Sequence, residues 1–137
     1  MRSRPAWFYR QAGALPYRII DGEFELLLIT SRRGRWIIPK GVIEPGATAA
    51  ATARNEAYEE AGVIGEVSTQ PLGTYQHKKW GGVCNVTVFS LRVTTVLESW
   101  PEAVIRRRRW LPQAVAAQAV GRSQLQALIL GLRRANL

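Results

Sequence analysis

Three carboxylates crowd one short stretch of this chain: Glu56, Glu59 and Glu60 fall within five consecutive positions. Alanine, a strong helix former, dominates the residues around them. At about 100° per residue the spacing i, i+3, i+4 then sets all three on one helix face. No Lys or Arg stands three or four residues from any of them within that helix, and Arg54 lies about 200° around from Glu56. Like charges at i, i+4 cost about 0.2–0.5 kcal/mol on an exposed helix and raise one another's pKa, so something cationic should offset them. An all-oxygen ligand set suits a hard divalent cation, Mg²⁺ or Mn²⁺, with water and phosphate oxygens completing the shell. The plain alternative is a solvated acidic face. Acid near the C-terminal end of a helix opposes the macrodipole, which counts against that alternative.

The elements that would position these groups follow from local signals. Thr48 can cap a helix, and Gly62 suits the left-handed position just past its end, so the pattern predicts a helix over 49–61. Glu44-Pro45-Gly46-Ala47 has Pro and Gly at the central positions of a type II turn. Upstream, apolar runs at 14–20 and 24–30 flank Asp21-Gly22, a two-residue hairpin signal, and Trp36-Ile37-Ile38 reads as a short buried strand. Downstream, strands are expected at 64–67, 71–79 and 83–93, the last two joined around Gly81-Gly82, with another at 104–110. Ser123 and Gln126 form a capping-box pattern before the stripe Leu125, Leu128, Ile129 and Leu132, which predicts a closing amphipathic helix. Strands interrupted by one helix and followed by another indicate an α/β (α+β) fold, a mixed sheet packed between helices. With no repeat or linker, residues 1–137 are expected to form one domain.

The overall charge is +9, from 19 Lys plus Arg against 10 Asp plus Glu, so an anionic partner is expected. Cys84 and His77 are the sole members of their types. That excludes an intrachain disulfide and zinc sites built from Cys and His. No apolar run approaches the roughly 18 residues of a membrane span. Arg10, Gln11, Pro16 and Arg18 interrupt any secretory leader pattern, so a cytoplasmic location is expected, with no membrane partner.

The run from Gly41 to Ala47, then Asn55-Glu56-Ala57-Tyr58-Glu59-Glu60-Ala61-Gly62-Val63, resembles the Nudix box, a loop-helix-loop of pattern GX5EX7REUXEEXGU with U apolar. Gly41, Glu56, Ala57, Glu59, Glu60, Gly62 and Val63 match at the required spacing. Two positions depart, Ala47 where the family has Glu and Asn55 where it has Arg. Their joint loss is coherent if those side chains support each other, since removing one partner alone would strand a charge. The segments Ser31–Gly41 and Val96–Glu102, followed by Arg106–Trp110, are similar to the diphosphoinositol polyphosphate phosphohydrolase branch.

The resemblance implies a Nudix-type α/β/α sandwich and a pyrophosphohydrolase in which a metal-activated water attacks phosphorus. It assigns Glu56 and Glu60 as Mg²⁺ or Mn²⁺ ligands, Glu59 as a further ligand or water-orienting base, and the Gly41 carbonyl as a backbone ligand. Glu98 or Glu102 stays open as a general base. Expected substrates are dinucleoside polyphosphates, diphosphoinositol polyphosphates or nucleoside triphosphates. Phosphate binding would fall to Arg10, Arg18, Arg32, Arg35, Lys40, Lys78 and Lys79, whose alternative is ordinary surface charge. Arg106 to Arg109 alternate faces if they lie in a strand, so two at most could reach one ligand. His77 could contact phosphate or move a proton, and Trp80 could stack a base, whereas Trp36 and Trp110 read as core. Two other readings stay open: a catalytically weakened module that binds a nucleotide or inositol pyrophosphate, and an RNA- or DNA-binding basic domain. Nucleic acid is otherwise expected only as capped RNA, and the chain as a monomer or homodimer.

Overall fold

A computed structural model describes residues 3–137, with the side chain of Asn136 excepted. Its strands are β1 (Arg10–Ile20), β2 (Glu23–Thr30), β3 (Trp36–Ile37), β4 (Lys40–Val42), β5 (Val63–Val67), β6 (Gly73–Lys79), β7 (Gly82–Val96) and β8 (Arg108–Pro112). The helices are α1 (Ala49–Glu56), continued by a π-helical turn over Ala57–Ala61, then α2 (Gln113–Val120) and α3 (Ser123–Leu130). Among the described residues the strands join in one mixed sheet. β1 runs parallel to β7 and antiparallel to β2 and β4.

Both faces of the sheet are covered, and strand alternation sorts the core into two layers. Ala12 and Ala14 of β1, Leu27 and Ile29 of β2, and Phe89 and Leu91 of β7 face α1 through Ala53, Ala57 and Ala61. Leu15 and Tyr17, Leu26 and Leu28, and Val86 and Val88 face Ala116, Ala117, Val120, Leu125 and Ile129 of α2 and α3. Alanines on α1 let the helix bearing the three glutamates lie close to the sheet. Leucines and isoleucines fill the thicker layer opposite, each stabilising by about 1.5–3 kcal/mol when fully buried.

The hairpin turns at Asp21 and Gly22, both at positive φ (51° and 81°), the geometry that matches strand twist. Its strands pair only from Tyr17↔Leu26 to Ile20↔Glu23 and then part. The segment 36–42 fills the fork: β3 pairs with the end of β2 and β4 with the start of β1. This wedge holds Lys40 and Gly41 at the middle of the sheet. The turn at Glu44–Ala47 is the expected one, with Gly46 at φ 87° and the Ala47 N–H donating to the Glu44 carbonyl at 3.0 Å. Thr48 caps α1 by accepting from the Ala51 N–H.

Several expectations are corrected. The strand expected at 104–110 starts only at Arg108, because the Ala103 and Ile105 N–H groups bond back to Trp100 and Glu102 in successive turns. The capping box at Ser123 does not form: α3 begins at Ser123 itself, Arg122 occupies the cap position, and its carbonyl accepts from the Gln126 N–H. α2 went unforeseen, since it starts after Pro112 without a capping side chain. No helix among the described residues is long and apolar enough to cross a membrane.

Candidate active site

The π turn decides how the three glutamates are arranged. Its closing N–H, from Gly62, is shared between the Ala57 carbonyl, five residues back, and the Tyr58 carbonyl at 3.1 Å, so the turn is wider than an α-helix and each residue advances by less than 100°. Four steps then fall nearer one full turn and three steps fall short of it. Glu60 comes over Glu56, and the two carboxyl groups act on each other. Burial is graded across the three: Glu60 is buried, Glu56 half-buried and Glu59 exposed, with the Glu59 charge still felt by Glu56. Gly62 ends the turn in the left-handed conformation at φ 66°.

Glu60 and Glu56 are both met from the sheet side. Glu60 Oε1 accepts the Lys40 backbone N–H at 3.0 Å, and Oε2 lies 3.5 Å from the Arg106 guanidinium. The Glu56 carboxylate lies against Gly41, where a Cβ atom would sit 2.2 Å from Oε1. Only glycine leaves that space. Burial, followed by repulsion from Glu60, pushes the Glu56 carboxyl up to about 8, and burial also raises Glu60 against the opposing pull of Arg106.

Arg106 was not among the expected site residues. It donates to Glu102 Oε1 at 3.0 Å and to the Thr30 carbonyl at 2.8 Å while facing Glu60. Arg108 donates to the carbonyls of Ala61, Gly62 and Leu97 and lies 3.8 Å over the Trp100 ring. The Trp100 indole N–H donates to the Glu60 carbonyl at 2.9 Å, and the Glu102 N–H to the Glu59 carbonyl at 3.0 Å. The segment 97–108 thus satisfies the carbonyls left open at the helix end and sets cations at its negative pole. The available signal was the even spacing of Arg106 and Arg108, without anything to say where they point.

Lys40 joins this acidic turn to a cleft of about 880 Å³. Of the expected phosphate-binding residues, Arg32, Arg35, Lys40 and Lys79 line it, together with Arg33 and Arg122. Trp36, Tyr75 and Leu125 supply apolar surface. Arg10 and Lys78 are exposed and do not line the cleft. Arg18 also lies outside it, paired with Glu25 at 2.7 Å and packed 4.1 Å over Trp110. His77 lines the cleft and lies 3.3 Å from Gln11 through its Nε2. Burial and the charges of Lys40, Arg122 and Lys79 push it down to about 4, so it is neutral at pH 7. Burial and Lys79 also lower Lys40. Trp80 is outside the cleft, edge-on to Phe8 and Tyr9, whereas Trp36 packs against the core as read and also lines the cleft.

A divalent cation fits what the carboxylates show. Among the described residues no three carboxylate, imidazole or thiol groups converge into a complete cage. Mg²⁺ needs none, since it commonly takes one or two carboxylates plus waters and phosphate oxygens. A buried and a half-buried glutamate acting on each other beside a glycine that a Cβ would close are the matching donor set.

The NUDIX domain model matches residues 10–128. Nudix hydrolase 12, mitochondrial, of Arabidopsis thaliana is 34% identical over 73% of this chain and 60% of its own length. Diphosphoinositol polyphosphate phosphohydrolase 3-alpha of Mus musculus is 37% identical over 77% of this chain and 65% of its own. The chain therefore spans under two thirds of the length of these relatives. The C. elegans Ap4A hydrolase binary complex superposes with a TM-score of 0.76 at 21% identity, covering 89% of this chain and 93% of that one. A NUDIX hydrolase from Nitrosomonas europaea does so at 0.73 and 16%, covering 93% and 89%. With a loop-helix-loop of matching carboxylates, a mixed sheet between helices and a domain match over most of its length, this chain belongs to the Nudix family.

Proposed function

We propose that this chain is a metal-dependent pyrophosphohydrolase that cleaves a phosphoanhydride in a small, highly anionic substrate. The observation that carries the reading is the junction at Lys40-Gly41, where the Glu56–Glu60 pair adjoins a cleft lined by six cationic side chains. Glu56 and Glu60 would hold Mg²⁺ or Mn²⁺, with Glu59 and the Gly41 carbonyl as further ligands. A cation bound there supplies Lewis acidity: it lowers the pKa of water and stabilises charge on the leaving oxygen. Arg32, Arg33, Arg35, Lys79 and Arg122 bind and orient the phosphates, with Arg in bidentate contacts and Lys as a point charge. Exposed Glu59 is free to orient the attacking water.

The substrate class we favour is a dinucleoside polyphosphate, a diphosphoinositol polyphosphate or a nucleoside triphosphate. Relatives named for the first two, and a cleft with more cations than one phosphate could engage, support it. The free, buried thiol of Cys84 fits a reducing compartment, and we place the chain in the cytosol.

The test is incubation with Mg²⁺ or Mn²⁺ and a panel of these compounds plus capped RNA, following phosphate products. Turnover should occur, should be abolished by EDTA, and should fall by about a thousandfold or more in Glu60→Gln, as expected for loss of a group that acts on the transition state. Unchanged turnover in Glu60→Gln would defeat the assigned role. Tight binding without turnover would instead favour the sensor reading that Ala47 and Asn55 motivate.

A further inference from the structure

Glu60 is buried, yet the segment that carries it offers no guanidinium: position 55 is Asn55, exposed, and Arg54 is exposed as well. The guanidinium that does reach Glu60 comes from the other side of the site. Arg106 meets three acceptors at once, Glu60, Glu102 and the Thr30 carbonyl at the end of β2. We propose that Arg106 is a positioning residue for the metal-binding carboxylates, a reading that rests on the metal site proposed above.

The geometry supplies the argument. A carboxylate can turn about its terminal bond unless both oxygens are engaged, and Glu60 has both engaged: Oε1 by the Lys40 N–H and Oε2 by Arg106. Arg106 is itself fixed, because its Nε and one terminal nitrogen are bonded elsewhere at 3.0 and 2.8 Å. The planar fork makes this possible, and a lysine, with a single ammonium, could not span the same three acceptors. The contact to Glu60 is 3.5 Å, longer than the 2.7–2.9 Å of a full charge-assisted bond. Oε2 is therefore oriented without being saturated and keeps lone-pair capacity for a cation. Glu102 shares the guanidinium, so the 97–107 segment and the glutamate turn are clamped as one unit.

Mn²⁺ binding, followed by the electron paramagnetic resonance of the free ion, tests this without any turnover. Relative to the unaltered chain, Arg106→Gln should weaken Mn²⁺ affinity by about 10–100-fold, the usual effect of removing a group that orients a ligand. Arg106→Lys keeps the charge and should recover only part of that loss. Near-unaltered affinity in a folded Arg106→Gln variant, or full affinity in Arg106→Lys, would overturn the proposal. Should Arg106→Gln fail to fold, Arg106→Lys decides alone by the same criterion. An unaltered chain that binds no Mn²⁺ would sink the metal site together with the proposal, whereas equal binding by the unaltered chain and Arg106→Gln would sink the positioning role alone.

Discussion

Glu56 and Glu60 on one side of Lys40, and Arg32, Arg33, Arg35, Lys79 and Arg122 on the other, are held in opposite ways. The glutamates are pressed against the sheet, met by a backbone N–H, a guanidinium and a glycine that leaves room for one oxygen. The three loop arginines are exposed on the turn between β2 and β3, and Lys79 and Arg122 are exposed across from them. A group that must coordinate an ion within tenths of an ångström needs supports on every side. Groups that gather a polyphosphate gain more from reach and excess charge, because long side chains adapt to their ligand. On the function proposed above, one side of the site is built for position and the other for charge.

Three experiments would break or sharpen that contrast. The largest effect is expected from Gly41→Ala, whose methyl group would overlap the end of the Glu56 side chain. Because a flexible carboxylate can move aside, the fold should survive with little change in melting temperature. Turnover and Mn²⁺ affinity should nevertheless fall about 10–100-fold. A fully active Gly41→Ala enzyme would show that the glutamate side is not built for position. Next, Lys79→Ala and Arg122→Ala should each raise KM by about tenfold, the worth of one hydrogen bond to a charged group, while kcat stays near its starting value. These penalties should shrink in high salt. A loss confined to kcat would move these residues into the positioned half.

The smallest effect is on stability. Burial and the neighbouring Glu60 push the Glu56 carboxyl up to about 8 in the folded chain, well above its ordinary value in the unfolded one. Below the unfolded value both states are protonated and its contribution is fully present. As pH rises toward 8 the unfolded state ionises first and stability drains away. The melting temperature of the chain in EDTA should accordingly fall between pH 5 and pH 8, and Mg²⁺ should restore it most at the upper end, where the carboxylates are ionised. A metal-free melting temperature that rises over this interval would contradict the burial of Glu56.

What was legible in the sequence is what local chemistry decides. Asp21-Gly22, Pro45-Gly46, Thr48 and Gly62 each signal a backbone conformation within a few residues, and the turns and caps stand where those residues put them. The mixed sheet between helices followed from counting such segments. The π turn was not legible, because a widened turn and an α-helical one have the same residue pattern. Arg106 and Arg122 were missed for another reason: Arg106 reaches Glu60 and the Thr30 carbonyl, and Arg122 the cleft, only after segments far apart in the chain have come together. The fork between β1 and β2 is of the same kind, since both strands read as continuous apolar runs and nothing local marks where they part.

The parallel ladder between β1 and β7, from Arg10↔Asn85 to Tyr17↔Arg92, has a further consequence for how the molecule is made. A ribosome releases the first strand long before its partner, so one side of that strand stays bare while most of the chain is synthesised. Closing so large a loop is slow, on the scale of milliseconds to seconds for topologies of this kind. The glutamate turn and the cleft, which draw on segments from both ends of the chain, would then be completed together and late rather than growing with each element added.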